Sequence, residues 1–371
     1  MTGLSVKPHK NIILVRHGLS VFNAQGRMQG SSDESQLSDM GKITADQVGQ
    51  YLKKVGLHSA VSSPLVRVRQ TAEIALSRVE NKPALDFDYE LRETELYQWE
   101  GQKMSAISKD RPDEFHAFKY DPENFILENK GQQIYPIRDL YHRAGKFWQD
   151  NVSRFAEGNN LVVSHGGTIQ ALINSALGLG PSSHHAFQPS NCGISCLQVR
   201  EGENSGCFSL RQLNNTVPLG EKLPKLKAGK EGVRILYFPV DDVLSGEDLE
   251  RLRKLSAIDT VFRYSAVTGD ANFNAAETKS REFSLEDGVI KDGVIKDDIQ
   301  RFTGKGNPLK TYLVAAPENV IRRLLKTISA VSEQFAGGMI LQNRMLTVVH
   351  HVYSHPVPIL QCVNSPVSDD F

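Results

Sequence analysis

An α/β layered sheet is the fold class this sequence predicts, and three observations predict it. Short apolar runs of strand length alternate with amphipathic runs of helix length. The polar chemistry stands just after the apolar runs, at Arg16-His17-Gly18 and His165-Gly166-Gly167, where open α/β sheets bind ligands. The 371 residues, at about 150 per domain, leave room for two such sheets.

The elements follow in order. Asn11–Val15 reads as a buried strand. Ser38–Val55 has helical spacing, with Ile43, Val48 and Leu52 expected on one face. Ala60–Ser63 is a short strand, and Val66–Ser77 a helix begun after Pro64. Leu161–Ser164 is a third buried strand, followed by a helix over Thr168–Leu177. From Val217 to Gly232 the composition turns rich in Pro, Gly and Lys, which marks a linker. The expected domains are therefore residues 1–217 and 233–371, joined by 218–232. Beyond the linker the pattern restarts: strands at Val233–Phe238 and Lys310–Ala315, a helix at Ser245–Leu255 and a long amphipathic helix at Glu318–Phe335. Gly288–Asp292 repeats directly as Gly293–Asp297, expected as a small duplication in an exposed acidic loop. Ile13–His17 can be laid on Ile235–Pro239, and Val162–His165 on Leu313–Ala316. The apolar strand survives both times and the polar end does not. An internal duplication with a degenerate second copy is the expectation.

Composition narrows the function. Forty per cent of residues are hydrophobic and 23% charged, as in folded globular proteins, which excludes disorder and collagen. Lys plus Arg and Asp plus Glu each number 43, so no global field favours nucleic acid or an anionic membrane. Cys192, Cys196, Cys207 and Cys362 form neither a zinc knuckle nor a CxxC pair, and read as small buried hydrophobes of a reducing compartment. MTGLSVKPHK has no apolar stretch of signal-peptide length, and no run of 18 apolar residues exists. A cytoplasmic protein is expected. His350, His351 and His355 invite a metal reading, but adjacent strand residues point to opposite faces, so no metal is expected. His58, His116 and His142 read as surface or packing residues, His184-His185 as loop residues, and Trp99 and Trp148 as core.

The first half carries the chemistry. A histidine at a strand end can attack phosphorus, splitting one hard step into two. Arg16 beside His17 supplies a permanently charged fork for phosphate oxygens, and Gly18 is expected to let the backbone approach the phosphate. Asn23 and Gly26–Gly30 follow; Ser63–Arg67 places a second arginine at a helix start; Leu91-Arg92-Glu93 precedes Trp99-Glu100-Gly101; Ser164–Gly167 completes the set. Two arginines, two histidines and a glutamate make an inventory for metal-free phosphoryl transfer.

These residues in this order resemble the histidine phosphatase superfamily, in its phosphoglycerate mutase-like branch, over about residues 11–215. Leu91–Tyr97, Asp121–Ile126, Ser190–Ser195 and Arg211–Thr216 bring the likeness closer to the plant and cyanobacterial 2-carboxy-D-arabinitol-1-phosphate phosphatases. Those relatives also carry a degenerate second copy. The resemblance implies a three-layer αβα sheet, then that copy. It implies His17 as nucleophile, Glu93 as proton donor and then base, and Arg16, Asn23, Arg67, His165 and Gly166 around the phosphate, with no cofactor. It further implies a small phosphorylated substrate, such as a sugar phosphate, and an indirect link to Rubisco regulation. The absence of a plant-type transit peptide points to a cyanobacterial cytoplasm. Two departures stand out: Ser38 where many relatives have Thr, and Asp33–Gln36, one residue longer than the usual turn. A mutase, a phosphoserine phosphatase and a non-catalytic regulator are the competing readings.

Overall fold

In the computed structural model, residues 9–200, 207–264, 279–283, 285–286, 289–290, 293–355 and 357–367 are described. They divide into two compact units. The first comprises residues 1–185, 189–211 and 218–220; the second comprises 186–188, 212–217 and 221–371. Residues 221–232, of the segment read as a linker, belong to the second unit.

The first unit is built on strands β1 (His9–Arg16), β2 (Ser59–Ser62), β3 (Leu85–Phe87), β4 (Gly158–Ser164), β5 (Ile194–Arg200) and β6 (Cys207–Asn215), whose residues 212–215 fall in the second unit, in the order β3-β2-β4-β1-β5-β6. β1, β4, β2 and β3 run parallel, while β5 lies antiparallel to β1. Along β1 the side chains alternate. Ile13 and Val15 face helices α1 (Asp39–Val55) and α2 (Val66–Leu76), sharing a core with Val48, Leu52, Val68 and Ala72. Ile12 and Leu14, equally buried, face the other way. There α3 (Pro136–Asn151) and α4 (Gly166–Ala176) pack together, and the Trp148 indole N–H donates to Leu172 O at 3.0 Å. Both sheet faces are thus covered, giving three layers, and apolar runs without alternation are what such parallel strands require. Each Val or Leu so buried contributes about 1.5–3 kcal/mol.

The expected strands are present, and so are the expected helices with two corrections. Ile43 is 54% exposed. Five residues, about 500° of helix, separate it from Val48, so the two point about 140° apart; Ala45, Val48 and Leu52 form the buried stripe. The expected long helix over Glu318–Phe335 is broken into Glu318–Thr327 and Glu333–Gly338. Ala330 sits at φ 48, and the Ser332 hydroxyl accepts from Phe335 N to start the second piece.

Trp99 and Trp148 are core residues, and His58, His116 and His142 lie exposed. Cys192 and Cys362 are buried and Cys196 half-buried; the Cys207 side chain lies outside the described residues. The repeat is not simply a loop: Gly293–Asp297 opens a helix, Gly293–Phe302, with Ile295 buried. In the first copy, Gly288, Lys291 and Asp292 lie outside the described residues, as do residues 1–8 of the N-terminal segment. Among the described residues no helix is long and apolar enough to cross a membrane.

The second unit uses β7 (Val233–Pro239), β8 (Thr260–Tyr264), β9 (Lys279–Phe283), β10 (Lys310–Ala316), β11 (Leu346–His351) and β12 (Ile359–Ser365). Their order, β9-β8-β10-β7-β11-β12, and their directions repeat those of the first unit. Even the register recurs. Leu14 pairs with Val162 in the first unit, and Leu236 with Leu313 in the second, as the sequence alignment of the two halves requires. At the strand ends Phe238 and Ala316 are fully buried apolar side chains. The helix Gly246–Leu255 begins with a reciprocal capping pair, Ser245 and Asp248.

Two glycines test the packing. A Cβ on Gly41 would lie 2.2 Å from Leu19 O, whereas one on Gly145, inside α3, would meet nothing within 4 Å. Gly41→Ala is expected to lower the thermal midpoint markedly. Gly145→Ala should raise stability by up to about 1 kcal/mol through helix propensity alone. Equal effects in differential scanning calorimetry would refute this account.

Candidate active site

The parallel ladder places the candidate residues. Arg16 is the last residue of β1 and pairs with Ser164, the last of β4. His17 and His165 therefore leave neighbouring strands side by side, with ring centroids 5.3 Å apart. Ser63 leaves β2 at the same end, its N–H bonded to Val163 O at 3.0 Å. His165 then caps α4, whose N-terminus carries a partial positive charge.

His17 is buried. Its Nδ1 lies 2.7 Å from Gly18 O. A carbonyl only accepts, so Nδ1 carries the proton and the lone pair is on Nε2. Burial first, then Arg16 and Arg67, holds the imidazole well below its ordinary value of 6.5. His17 is thus neutral at neutral pH. His165 is held lower too, by burial and then by Arg67. Its Nδ1 accepts from Arg67 Nη2 at 3.1 Å, and its Nε2–H donates to Ser63 Oγ at 2.9 Å. Both ring nitrogens of His165 are therefore engaged within the protein.

The arginines are locked by oxygen acceptors, mostly backbone carbonyls. Arg16 donates from Nη1 to Pro189 O at 2.8 Å and from Nη2 to Asn23 Oδ1 at 3.4 Å. Asn191 Nδ2 also donates to that Asn23 oxygen, at 3.2 Å. Arg67, fully buried in α2, donates to Ser32 O at 2.7 Å and Gly30 O at 2.6 Å. Burial pushes it down to about 10, which leaves it charged at neutral pH. Neither guanidinium has an ion-pair partner among the described residues, and both Nε atoms are buried without a hydrogen-bond partner. One buried and one half-buried guanidinium, each with a buried unsatisfied Nε–H, are a costly arrangement for a protein alone. An anion between them would offset that cost.

Glu93 is also buried. Its Oε1 accepts from Thr94 N at 3.0 Å, and its Oε2 from Gly167 N at 3.0 Å. Gly166 and Gly167 are glycines for reasons of space: a Cβ would lie 3.2 Å from Arg16 Nε at the first and 2.7 Å from Glu93 Oε1 at the second. Gly18 is held to a glycine by packing. Its Cβ would lie 2.5 Å from Gly41 O, so its smallness serves packing against α1.

All seven sequence candidates, Arg16, His17, Asn23, Arg67, Glu93, His165 and Gly166, come together. Sequence reasoning named Glu100 and Asp33 without a role and missed Arg143, and all three support the site. Arg143, in α3, donates to the carbonyls of Glu90, Arg92 and Glu93. Its signal was a lone arginine on the apolar stripe of Leu140, Ala144 and Phe147. Glu100 accepts from Gly30 N at 2.9 Å and Ser32 Oγ at 2.8 Å, fixing the loop that grips Arg67. Asp33, in the long turn, accepts from Val66 N at 2.7 Å and so caps α2. His184 is buried, next to His185 and Tyr141. Among the described residues no group of three or more metal-ligating side chains converges.

The histidine phosphatase superfamily (branch 1) model matches residues 12–216. Over 214 residues the chain is 36% identical to a probable 2-carboxy-D-arabinitol-1-phosphatase of Arabidopsis thaliana, covering 57% of this chain and 43% of that protein. It is 34% identical over 210 residues to 2-carboxy-D-arabinitol-1-phosphatase of Triticum aestivum, covering 56% and 41%. A probable phosphoglycerate mutase of Erwinia tasmaniensis is 30% identical over 184 residues, covering 50% and 82%. The chain thus spans about two fifths of the length of the two plant proteins.

A pH dependence follows from the buried imidazoles. His17, His165 and His184 all take up protons less readily folded than unfolded. Below about 6.5 the unfolded chain binds more protons, so this part of the stability is complete above that pH and is lost as pH falls. His184→Gln should shrink the drop in urea midpoint between pH 7.5 and 5.5. An unchanged drop would dismiss His184 as a contributor.

Proposed function

The chain belongs to the histidine phosphatase superfamily, branch 1, and from that premise we propose that it hydrolyses a small phosphomonoester through a phosphohistidine on His17. One observation carries the reading: two arginines without an ion-pair partner, their Nε atoms buried, flank a neutral histidine whose Nε2 makes no hydrogen bond among the described residues. In the first step Nε2 attacks phosphorus, the bond to the leaving oxygen breaks, and protonated Glu93 gives its proton to the departing alkoxide. In the second step water attacks phosphorus, the N–P bond breaks, and the Glu93 carboxylate takes the water proton. Arg16 and Arg67 hold the phosphate oxygens by their free Nε–H groups, with Asn23 orienting Arg16. His165 exchanges its Ser63 partner for a phosphate oxygen, and Gly166 leaves room for the phosphate at the start of α4.

The substrate we propose is a sugar phosphate such as 2-carboxy-D-arabinitol 1-phosphate, the substrate class named in the two plant relatives. A phosphoglycerate mutase is the second reading, favoured by the bacterial relative of which the chain covers 82%. We further propose that residues 1–217 form the catalytic domain and that 233–371, beyond the linker 218–232, supply no catalytic residue. Phe238, Pro239 and Ala316 stand there in place of Arg16, His17 and His165, and none of them attacks or binds phosphate.

Turnover of a panel of phosphorylated sugars and acids, with product analysis, separates hydrolysis from transfer. His17→Ala is expected to abolish turnover and the acid-labile phosphoenzyme together; a phosphoryl group trapped on another residue would sink the assignment. Glu93→Gln should slow phosphorylation by sugar phosphates at least about 100-fold more than by 4-nitrophenyl phosphate, whose leaving group needs no proton. Equal losses in single turnover would remove Glu93 from the acid role.

A further inference from the structure

The second unit has an open cavity of about 880 Å³. Arg234 and Thr311, among its lining residues, stand second in β7 and β10. The cavity therefore lies at the amino ends of the central strands, opposite the closed ends at Phe238 and Ala316. Leu223, Leu255 and Leu309 give it an apolar wall.

Most of the charges around it are already matched. Glu221 pairs with Lys225 at 2.9 Å, and Asp259 pairs with Lys310 at 3.1 Å. Lys222 Nζ donates to Lys254 O at 2.9 Å. Arg234, Lys230 and Lys222, which meets only that carbonyl, have no carboxylate partner among the described residues, and of these Arg234 and Lys230 lack a backbone acceptor. Arg234 is half-buried; its Nη2 donates to Ser256 Oγ at 2.9 Å, and its Nε is buried with no partner. It has no carboxylate partner among the described residues, and burial lowers its proton affinity. Lys230 is exposed at the rim, with no ion-pair partner among the described residues. A desolvated guanidinium without a counter-ion is unfavourable unless an anion joins it. A planar fork beside a mobile ammonium suits a phosphoryl head group.

We propose that this cavity binds a small organic phosphate, its head group between Arg234 and Lys230 and its apolar body against Leu223, Leu255 and Leu309. The site is separate from His17 and belongs to the half of the chain without catalytic residues. It gives that half a ligand of its own.

Phenylphosphonate has the required head and body and is not hydrolysed. Calorimetric titration of the full chain should count two sites. Lys230→Gln and, separately, Arg234→Gln should each weaken one site about tenfold or more, leaving the other site and probe-free turnover of 4-nitrophenyl phosphate unchanged. Arg16→Gln should weaken only the other site. Benzoate, with the same body and a carboxylate head, should bind the new site less tightly; equal binding would overturn the phosphate assignment. A single site, lost with Arg16→Gln and intact in Lys230→Gln, would overturn the proposal altogether. Because Lys230 is exposed, its replacement tests the site even where Arg234→Gln disturbs folding.

Discussion

One ladder carries the site. The pairing of Arg16 with Ser164 brings His17 and His165 off adjacent parallel strands at the same height. A shift of one residue would turn Arg16 and the strand's core residues to the wrong faces. The register is held by the two-sided burial of β1, where Ile12, Ile13, Leu14 and Val15 are each at most 4% exposed. Packing energy spread over the sheet thus fixes the relative position of the candidate groups.

The charges add a second constraint. Removing a guanidinium from water costs several kcal/mol after relaxation, and hydrogen bonds to a charged group return about 1.5–3 kcal/mol each. Arg67 has two carbonyls and an imidazole; Arg16 has a carbonyl and an amide oxygen. These bonds fix the orientation of both forks and still leave each Nε unsatisfied. The supporting loops are held in turn: Glu100 fixes Gly30 and Ser32, and Arg143 fixes the backbone of Glu93. On the proposed reading the site is prearranged for an anion at some expense in stability, the compromise expected where function sets the local structure.

The second unit shows the same scaffold released from that compromise. Strand order, direction and register recur, yet Phe238 joins the apolar core where Arg16 stands in the first unit. Burying Phe and Ala needs no polar partners, so the closed end is the cheaper solution physically. What the second unit keeps is an unmatched arginine at the opposite end of its strands, outside the duplicated chemistry.

Legible in the sequence were the layered α/β class, the repeat of the pattern in two halves and the strand-end groups Arg16, His17, Arg67, Glu93 and His165, while Asn23 and Gly166 entered through the resemblance to histidine phosphatases. Period, apolar runs and strand-end chemistry are local properties, and local properties are legible in a sequence. Tertiary structure alone decided the rest. The helix after Glu318 broke where Ser332 starts a new turn. Ser63, Glu100 and Arg143 are tied to the site through contacts 50 to 102 residues apart in the chain, which no local pattern encodes. Gly18 was legible as a glycine needed for close approach, but what it approaches, Gly41 O, is fixed only once α1 folds back over β1. Spatial partners are chosen by packing of distant segments, and that choice exists only in three dimensions.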